Sequence, residues 1–376
     1  MSALGMVALS WAGVAAAFSV VTWHRLGRRV PVAERTRVPV LLLRPVEAPT
    51  RQELENLARP VDYAGPLEHV VISPYRPRLA PGVRWLPSEP LTPNRKVGHL
   101  LHALEVLDTR ERVVVAVDAD VAVTGALVEG LVAPVVAGAA LSTAAPMPVS
   151  PRGVSARALA GLLRYTHHSF RALHVMSVGA PAVCGKALGL SPRAVETLRS
   201  VADHLGEDLE LSRRLHAHGL TVALAAAPAV VPLEASSDWW GPLTRFTRWM
   251  RVLASHRPDL YPSVPLLFTP TVPLLLIAGA LREPLLGGAV ALLVLARLGL
   301  SRRLAWVGDD VARAEGDAGG LMRAGTDWLL GECLLLAAFL CSLRRSGPVM
   351  WRGHLYRLRP GGRLERVWPE PSGGPG

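Results

Sequence analysis

The sequence predicts an α/β domain built on a mostly parallel sheet with flanking helices, joined to transmembrane helices at both ends of the chain. Three observations predict it. Short apolar runs alternate with helix-like stretches between residues 38 and 226, the rhythm of parallel strands joined by crossover helices. Ser2 to Trp23 carries no charged residue. Half of the 376 residues are hydrophobic, and long uncharged stretches return after residue 260.

Taken in order, Ser2 to Trp23 is long enough to cross a hydrocarbon core. His24, Arg25, Arg28 and Arg29 come directly after it, and no small-residue cleavage site is evident. A basic cluster behind the apolar run marks an anchor rather than a signal peptide and places the adjoining domain in the cytoplasm. Residues 1–29 are therefore expected to be the anchor and 36–238 a cytosolic domain. Within that domain strands are expected at Val38–Leu43, His69–Ile72, Val113–Val117, Ala139–Ala144 and Thr221–Ala226. Helices are expected at Arg51–Leu57, Lys96–Leu107, Ala126–Val136, Val154–His168 and Glu207–His218, the last stopped by Gly219. The proline-rich runs Pro74–Pro93 and Pro146–Pro151 read as loops.

Residues 239–259 form an amphipathic pattern in which Trp239, Leu243, Phe246, Met250 and Leu253 make an apolar stripe, as an interfacial helix does. Residues 260–345 hold three apolar segments, Leu260–Leu281, Pro284–Leu300 with Arg297 expected to snorkel to the interface, and Trp328–Leu343 with Glu332 inside it. If all three crossed, the basic tail 346–376 would lie outside, against the positive-inside bias. Leu260–Leu281 is expected to break or re-enter, because Pro262, Pro265, Pro270 and Pro273 disfavour one straight helix, with Trp328–Leu343 the runner-up because burying Glu332 is costly without a partner. The end of the tail, from Pro369, is expected to be disordered.

The 41 Lys and Arg residues against 30 Asp and Glu give a formal charge of +11. They gather beside the apolar segments, and no zinc finger or aromatic RNA-binding strand is recognisable, so a bilayer is the expected partner and nucleic acid is not. Cys184, Cys333 and Cys341 have neither metal nor redox spacing and read as reduced, cytoplasm-facing thiols.

Three motifs carry chemistry. Asp118 and Asp120 come after the apolar run Val113–Val117, and ligands of open sheets bind beyond the carboxyl ends of strands. Two carboxylates one residue apart suit a divalent cation held against a diphosphate. Glu207 and Asp208 open a helix, where acids also sit simply because the helix dipole favours them. Arg245, Arg248 and Trp249 combine forked donors for phosphate oxygens with a flat apolar face. His216 and His218 read as helix-end histidines rather than metal ligands. Gly185 and Lys186 lack the spacing of a phosphate loop and are set aside.

In order and spacing these pieces resemble the ceramide glucosyltransferases and the related bacterial lipid glycosyltransferases that act on hopanoids. The matching pieces are Leu43-Arg44-Pro45-Val46, Glu55 to Leu57 with Asp62 and Tyr63, Asn94 to Val97, Val117 to Val121, Glu207-Asp208, Arg245 to Trp249, and Trp351 to Gly362 near the end. The last piece favours ceramide over hopanoid. The resemblance implies a nucleotide-sugar-binding glycosyltransferase domain on the cytosolic face of an integral membrane protein, in the bacterial inner membrane or its equivalent. It implies a UDP-sugar donor, a lipid acceptor and a divalent cation, Mg or Mn. A hexose, glucose, would pass with inversion to the primary hydroxyl of ceramide. Asp118 and Asp120 would organise cation and diphosphate, Lys96 would join them at the donor, and Asp208 would be the base. Arg245, Arg248 and Trp249 would close over the donor, with Trp249 and His168 also beside the acceptor.

One departure stands out. The family carries an aspartate where the second strand ends, and here the run His69 to Arg76 has no acid. Either Ser73, Tyr75 or backbone groups replace it, or nucleotide affinity is weak, or the protein has shifted donor or lost activity. Two alternatives stay open: a hopanoid or other lipid glycosyltransferase with a different donor sugar, and a catalytically silent membrane scaffold of the same fold.

Overall fold

The computed structural model describes residues 1–26, 36–176, 180–236, 238–312, 321–344, 348–351 and 354–367. Helix α1 (Ala3–Leu26) precedes the α/β domain. The first half of that domain runs β1 (Val40–Pro45), α2 (Arg51–Leu57), β2 (Leu67–Ser73), β3 (Arg84–Pro87), α3 (Arg95–Val106), β4 (Val113–Val117), α4 (Gly125–Val136), β5 (Leu141–Thr143) and β6 (Pro146–Val149). The second half runs α5 (Val154–Met176), β7 (Ala187–Leu190), α6 (Pro192–Leu198), α7 (Glu207–Ala217), β8 (Val222–Leu224), β9 (Ala229–Pro232) and α8 (Trp240–His256).

Seven strands form one sheet in the order β3-β2-β1-β4-β7-β5-β8. All pairings are parallel except those of β7, which runs antiparallel to both β4 and β5. β1 is buried along its whole length, so it reads as a continuous apolar run rather than an alternation. Leu41 and Leu43 face Val97 and Leu100 of α3, while Val40 and Leu42 face Leu127 and Leu131 of α4. Side-chain caps start the crossover helices. Thr50 and Glu53 form a reciprocal capping box on α2, Asn94 accepts from Val97 N–H on α3, and Thr124 accepts from Leu127 N–H on α4.

Four strands of the α/β domain, β3, β6, β7 and β9, lie where sequence reading places none. β3 crosses the Pro74–Pro93 run as an edge strand paired with β2. β6 occupies the start of the second proline run and pairs in parallel with β9. Its prolines alternate: the carbonyls of Ala145 and Val149 accept from β9 and its extension, so Pro146 and Pro148 turn their missing N–H groups to the unpaired edge. β7 is short and rich in small residues, a weak strand signal that gains its stability from being clamped between two neighbours.

The membrane half continues with a π-helical turn (Val264–Phe268), α9 (Thr271–Leu281), α10 (Pro284–Ala312) and α11 (Leu321–Leu343). Among the described residues three helices are long and apolar enough to cross a membrane, over Ala3–Arg25, Pro284–Ala305 and Met322–Leu343. α1 lays its small residues Ala8, Ala12 and Ala15 against Leu286, Val290 and Leu293 of α10. The 260–281 stretch is divided into the π-helical turn and an eleven-residue helix. Arg297 does not snorkel: it is fully buried, stacks 4.5 Å from the centre of the Tyr165 ring and donates to Leu267 O. Snorkelling gains little where a broken helix offers unpaired carbonyls close by.

α5 and α11 meet through two facing glycines. A Cβ on Gly161 would lie 1.8 Å from Asp327 O, and one on Gly331 would lie 2.3 Å from Leu162 N. Arg157 of α5 also donates to Asp327 at 2.6 Å. Beyond α11 the chain forms an antiparallel sheet of β10 (Val349–Trp351), β11 (His354–Leu358) and β12 (Leu364–Arg366). Val349, Tyr356 and Leu364 of this sheet bury Leu205 and Val252, and Leu205 N donates to Gly362 O at 3.0 Å. The tail thus folds against α7 and α8.

Candidate active site

The carboxyl end of β4 delivers Asp118 into a cleft closed by β7, α3 and α7. Asp118 N donates to Lys186 O at 2.8 Å, so the turn that carries both aspartates is tied to β7. Beneath it the buried guanidinium of Arg44 donates to the carbonyls of Asp118, Ala119 and Val121 at 3.0, 3.1 and 2.6 Å. Those bonds give the turn its shape.

Lys96, in the first turn of α3, reaches Asp118 at 2.8 Å and Glu207 at 3.2 Å and donates to Gly185 O at 2.6 Å. Burial works against its charge, but Asp118 and Glu207 outweigh it and hold its pKa above the ordinary lysine value. Asn94 binds Glu207 at 3.1 Å and so orients the acid beside the lysine. Asp120 is ion-paired with Lys186, and Arg245 lies 3.7 Å away. Burial alone would raise its pKa, but Lys186 and then Arg245 hold it down to about 2. Its other oxygen, Oδ1, is buried and has no hydrogen-bond partner among the described residues.

Asp208 is held differently. Gly185 N–H donates to its Oδ2 at 2.6 Å and Leu209 N–H to its Oδ1 at 2.9 Å. Burial and the neighbouring Glu207 charge push its pKa up to about 7, with Lys96 pulling the other way. Two carboxylates of one site, Asp120 and Asp208, are therefore driven in opposite directions, which is how acid and base roles are separated.

α8 supplies Arg245, Arg248 and Trp249. Arg245 lies 5.4 Å from the centre of the Trp249 ring, and Phe246 packs edge-on to that ring at 4.9 Å. With Lys96, Asp118, Asp120 and Asp208 they line a cavity of about 590 Å³, within the usual range for small-molecule sites. The far end of the cavity is apolar, formed by Leu162 of α5, Val264 and Phe268 of the π-helical turn and Leu335 of α11.

Seven of the eight site residues expected from sequence thus line one cavity. His168 belongs to α5, and its side chain lies outside the described residues; Thr166, two positions earlier, lines the cavity. Sequence reasoning missed Lys186, Glu207 as a lysine partner, Arg44 and Glu47. Glu47 lines the cavity beside Arg95 and His99. Burial would raise its pKa, but His99 and Arg95 lower it to about 2. The rule that singled out Asp118, an acid just past a buried strand, would also have found Glu47. At the end of β2, Ser73 is buried, donates to Tyr75 O at 2.7 Å and accepts from Trp85 Nε1 at 3.0 Å. Among the described residues the cavity lining includes neither Ser73 nor Tyr75.

Among the described residues no group of three or more His, Cys, Asp and Glu is arranged to hold a metal ion. The Asp118–Asp120 pair nevertheless offers hard oxygen donors, one of them buried and unsatisfied. Such a pair fits a small divalent cation that takes its remaining ligands from water and phosphate.

No curated protein matches the sequence. Among solved structures the chain is similar to a mannosyltransferase, PcManGT from Pyrobaculum calidifontis, in complex with GDP-Man and Mn2+, at 14% identity and a TM-score of 0.44, covering 92% of this chain and 100% of that one. The sequence pattern of Glycosyl transferase family 21 matches residues 84–364. That span runs from β3 through the candidate active site and both later membrane helices to β12, and the chain belongs to glycosyl transferase family 21, the ceramide glucosyltransferase family, whose members draw on nucleotide-sugar donors.

Proposed function

We propose that this protein transfers glucose from UDP-glucose to the primary hydroxyl of a membrane lipid, ceramide, with inversion at the anomeric carbon. The observation that carries this reading is the single cavity with charged groups at one end and Leu335, from a helix apolar enough to span a bilayer, at the other. A lipid whose chains remain among α5, α11 and the π-helical turn can bring its headgroup to Asp208.

Asp118 and Asp120 would hold the divalent cation, which when bound neutralises charge on the departing diphosphate. Lys96 and Arg245, already beside those aspartates, face the same charge. Arg248 and Trp249 close the cavity above donor and acceptor. Asp208 accepts the proton of the acceptor hydroxyl as its oxygen forms a bond to C1, while the bond from C1 to the diphosphate oxygen breaks on the opposite face. A carboxylate poised at about 7 is well matched to that task near neutral pH. Gly185 N–H and Leu209 N–H hold its two oxygens in place through the transfer.

A tail and catalytic domain on one side of the bilayer, joined by two crossings, α10 and α11, is the topology we propose, and the packing of β10–β12 on α7 and α8 supports it. The proposed side is the cytoplasm, which the positive-inside bias of the basic residues after α1 favours. In spheroplasts, with Cys184, Cys333 and Cys341 replaced, a cysteine at Leu355 is expected to resist an impermeant thiol reagent. Labelling from outside would overturn the arrangement.

The reaction itself is tested by incubating membranes that contain the protein with labelled UDP-glucose, UDP-galactose, UDP-N-acetylglucosamine and GDP-mannose, each with ceramide or a hopanoid. β-Linked glucosylceramide is the expected product. A labelled hopanoid or another sugar would redirect the reading within the family, and no labelled lipid from any pair would mark a silent scaffold.

A further inference from the structure

Each aspartate of the Asp118–Asp120 pair already has a lysine, but the two lysines are held unlike each other. Lys96 spends its three ammonium donors on Asp118, Glu207 and Gly185 O. Lys186, only 4% exposed, has one partner among the described residues, Asp120 Oδ2. Asp120 Oδ1, on the other side of the same carboxylate, is buried and unsatisfied. A buried acceptor left in that condition calls for a ligand or a cost. A divalent cation arriving at Oδ1 would sit one carboxylate width from the Lys186 ammonium, and like charges at that range repel strongly inside a protein.

We propose that Lys186 is an exchangeable counter-ion, which neutralises Asp120 in the ligand-free protein and turns to the donor's diphosphate once cation and nucleotide are both bound. The exchange balances. Two positive charges arrive at the aspartates and two negative charges arrive with the diphosphate, so the released ammonium finds a phosphate oxygen rather than an apolar wall. The flexible four-carbon stem of lysine permits the swing, and Gly185 beside it presents no side chain to block it. Lys96 cannot make the same exchange without giving up three contacts at once, so it stays as the fixed charge. This inference rests on the glycosyl-transfer reading and gives a role to a residue which that reading leaves unused.

The test is a pair of titrations on purified full-length protein in detergent or nanodiscs. Mn2+ binding is measured by electron paramagnetic resonance without nucleotide, and UDP and GDP binding are measured separately by calorimetry at saturating Mn2+. In Lys186→Met the competitor for Asp120 is gone, so Mn2+ alone is expected to bind more tightly, while the nucleotide loses a phosphate contact and binds more weakly. Each change should fall within the roughly 5–150-fold range typical of coupled sites. Opposite signs are the signature. A lysine that merely propped up Asp120 would weaken both, and that result, or no change in either, overturns the proposal. Lys186→Gln keeps a hydrogen bond to Asp120 without the charge and is read the same way if the methionine variant does not fold. If the unmodified protein binds neither UDP nor GDP with Mn2+, the donor reading falls and takes this inference with it. Nucleotide binding with same-sign effects sinks the role of Lys186 alone.

Discussion

The two ends of the cavity neutralise buried charge in different ways. At the sheet end, carboxylates are matched by side chains: Asp118 by Lys96, Asp120 by Lys186 and Arg245. At the membrane end, backbone groups share in holding single charges. Glu332 accepts from Thr271 N–H at 2.7 Å and Thr271 Oγ1 at 3.0 Å, at the start of α9, while Arg297 donates to Leu267 O in the π-helical turn. Side-chain partners can be exchanged for a ligand. Backbone partners cannot, so they fix where the broken segment lies between α10 and α11. The comparison separates the groups proposed to act on donor and acceptor from groups that build the wall around them, and substitutions at each end should differ in what they change.

The largest effect is expected at the sheet end. Asp208→Asn keeps the side chain's shape but cannot take the acceptor's proton, and loss of a general base costs on the order of 10²–10⁴ in rate. Donor binding, measured by calorimetry, is expected to stay close to that of the parent. Turnover at the parent's rate would remove Asp208 from the base role.

Next in size is the response to pH. Because Asp208 is raised to about 7, its base form is lost as pH falls through that value, so kcat/KM should drop about tenfold per unit below it. Stability moves the opposite way. The folded protein retains a proton on Asp208 that the unfolded chain releases, so this residue's contribution declines as pH rises from the ordinary aspartate range through about 7. Rate profiles with the same limb in an otherwise active Asp208→Glu variant would point to another group.

Much of the sheet end could be read from sequence because it depends on local order: an apolar strand running into Asp118 and Asp120, a capped helix beginning at Lys96, and Asp208 in the first turn of α7. The part that could not be read depends on an antiparallel insertion. β7 enters the sheet between β4 and β5, and that pairing alone brings Gly185 and Lys186 beside both aspartates. A two-residue motif judged by phosphate-loop spacing has no means of revealing a partner 66 positions away. The membrane end was legible as hydropathy but not as contact. Nothing local in the sequence pairs Glu332 with the amide of Thr271, or Gly161 with Gly331.

A smaller effect is expected at the membrane end. Glu332→Ala leaves the Thr271 N–H buried without an acceptor, a loss of about 1–3 kcal/mol. The expected result is a lower melting temperature in detergent, with kcat per folded molecule nearly unchanged. A large fall in kcat at unchanged stability would place Glu332 in the chemistry and erase the distinction between the two ends.

The smallest effect concerns the strand end that lacks an acid. If Ser73 stood where the family's aspartate binds the donor, Ser73→Asp would tighten the donor complex. The structure points elsewhere, because Ser73 is buried, spends its hydroxyl on Tyr75 O and Trp85 Nε1, and is not among the described residues that line the cavity. Glu47, one strand over, does line it and is held ionised by His99 and Arg95. Ser73→Asp is therefore expected to leave UDP affinity unchanged, while Glu47→Gln should weaken it several-fold, since a hydrogen bond to a charged group contributes about 1.5–3 kcal/mol and one to a neutral amide about 0.5–1.5 kcal/mol. Calorimetry of both variants with saturating Mn2+ decides between them. A tightened complex in Ser73→Asp with no change in Glu47→Gln would return the nucleoside contact to the end of β2 and leave Glu47 as a purely structural partner of Arg95.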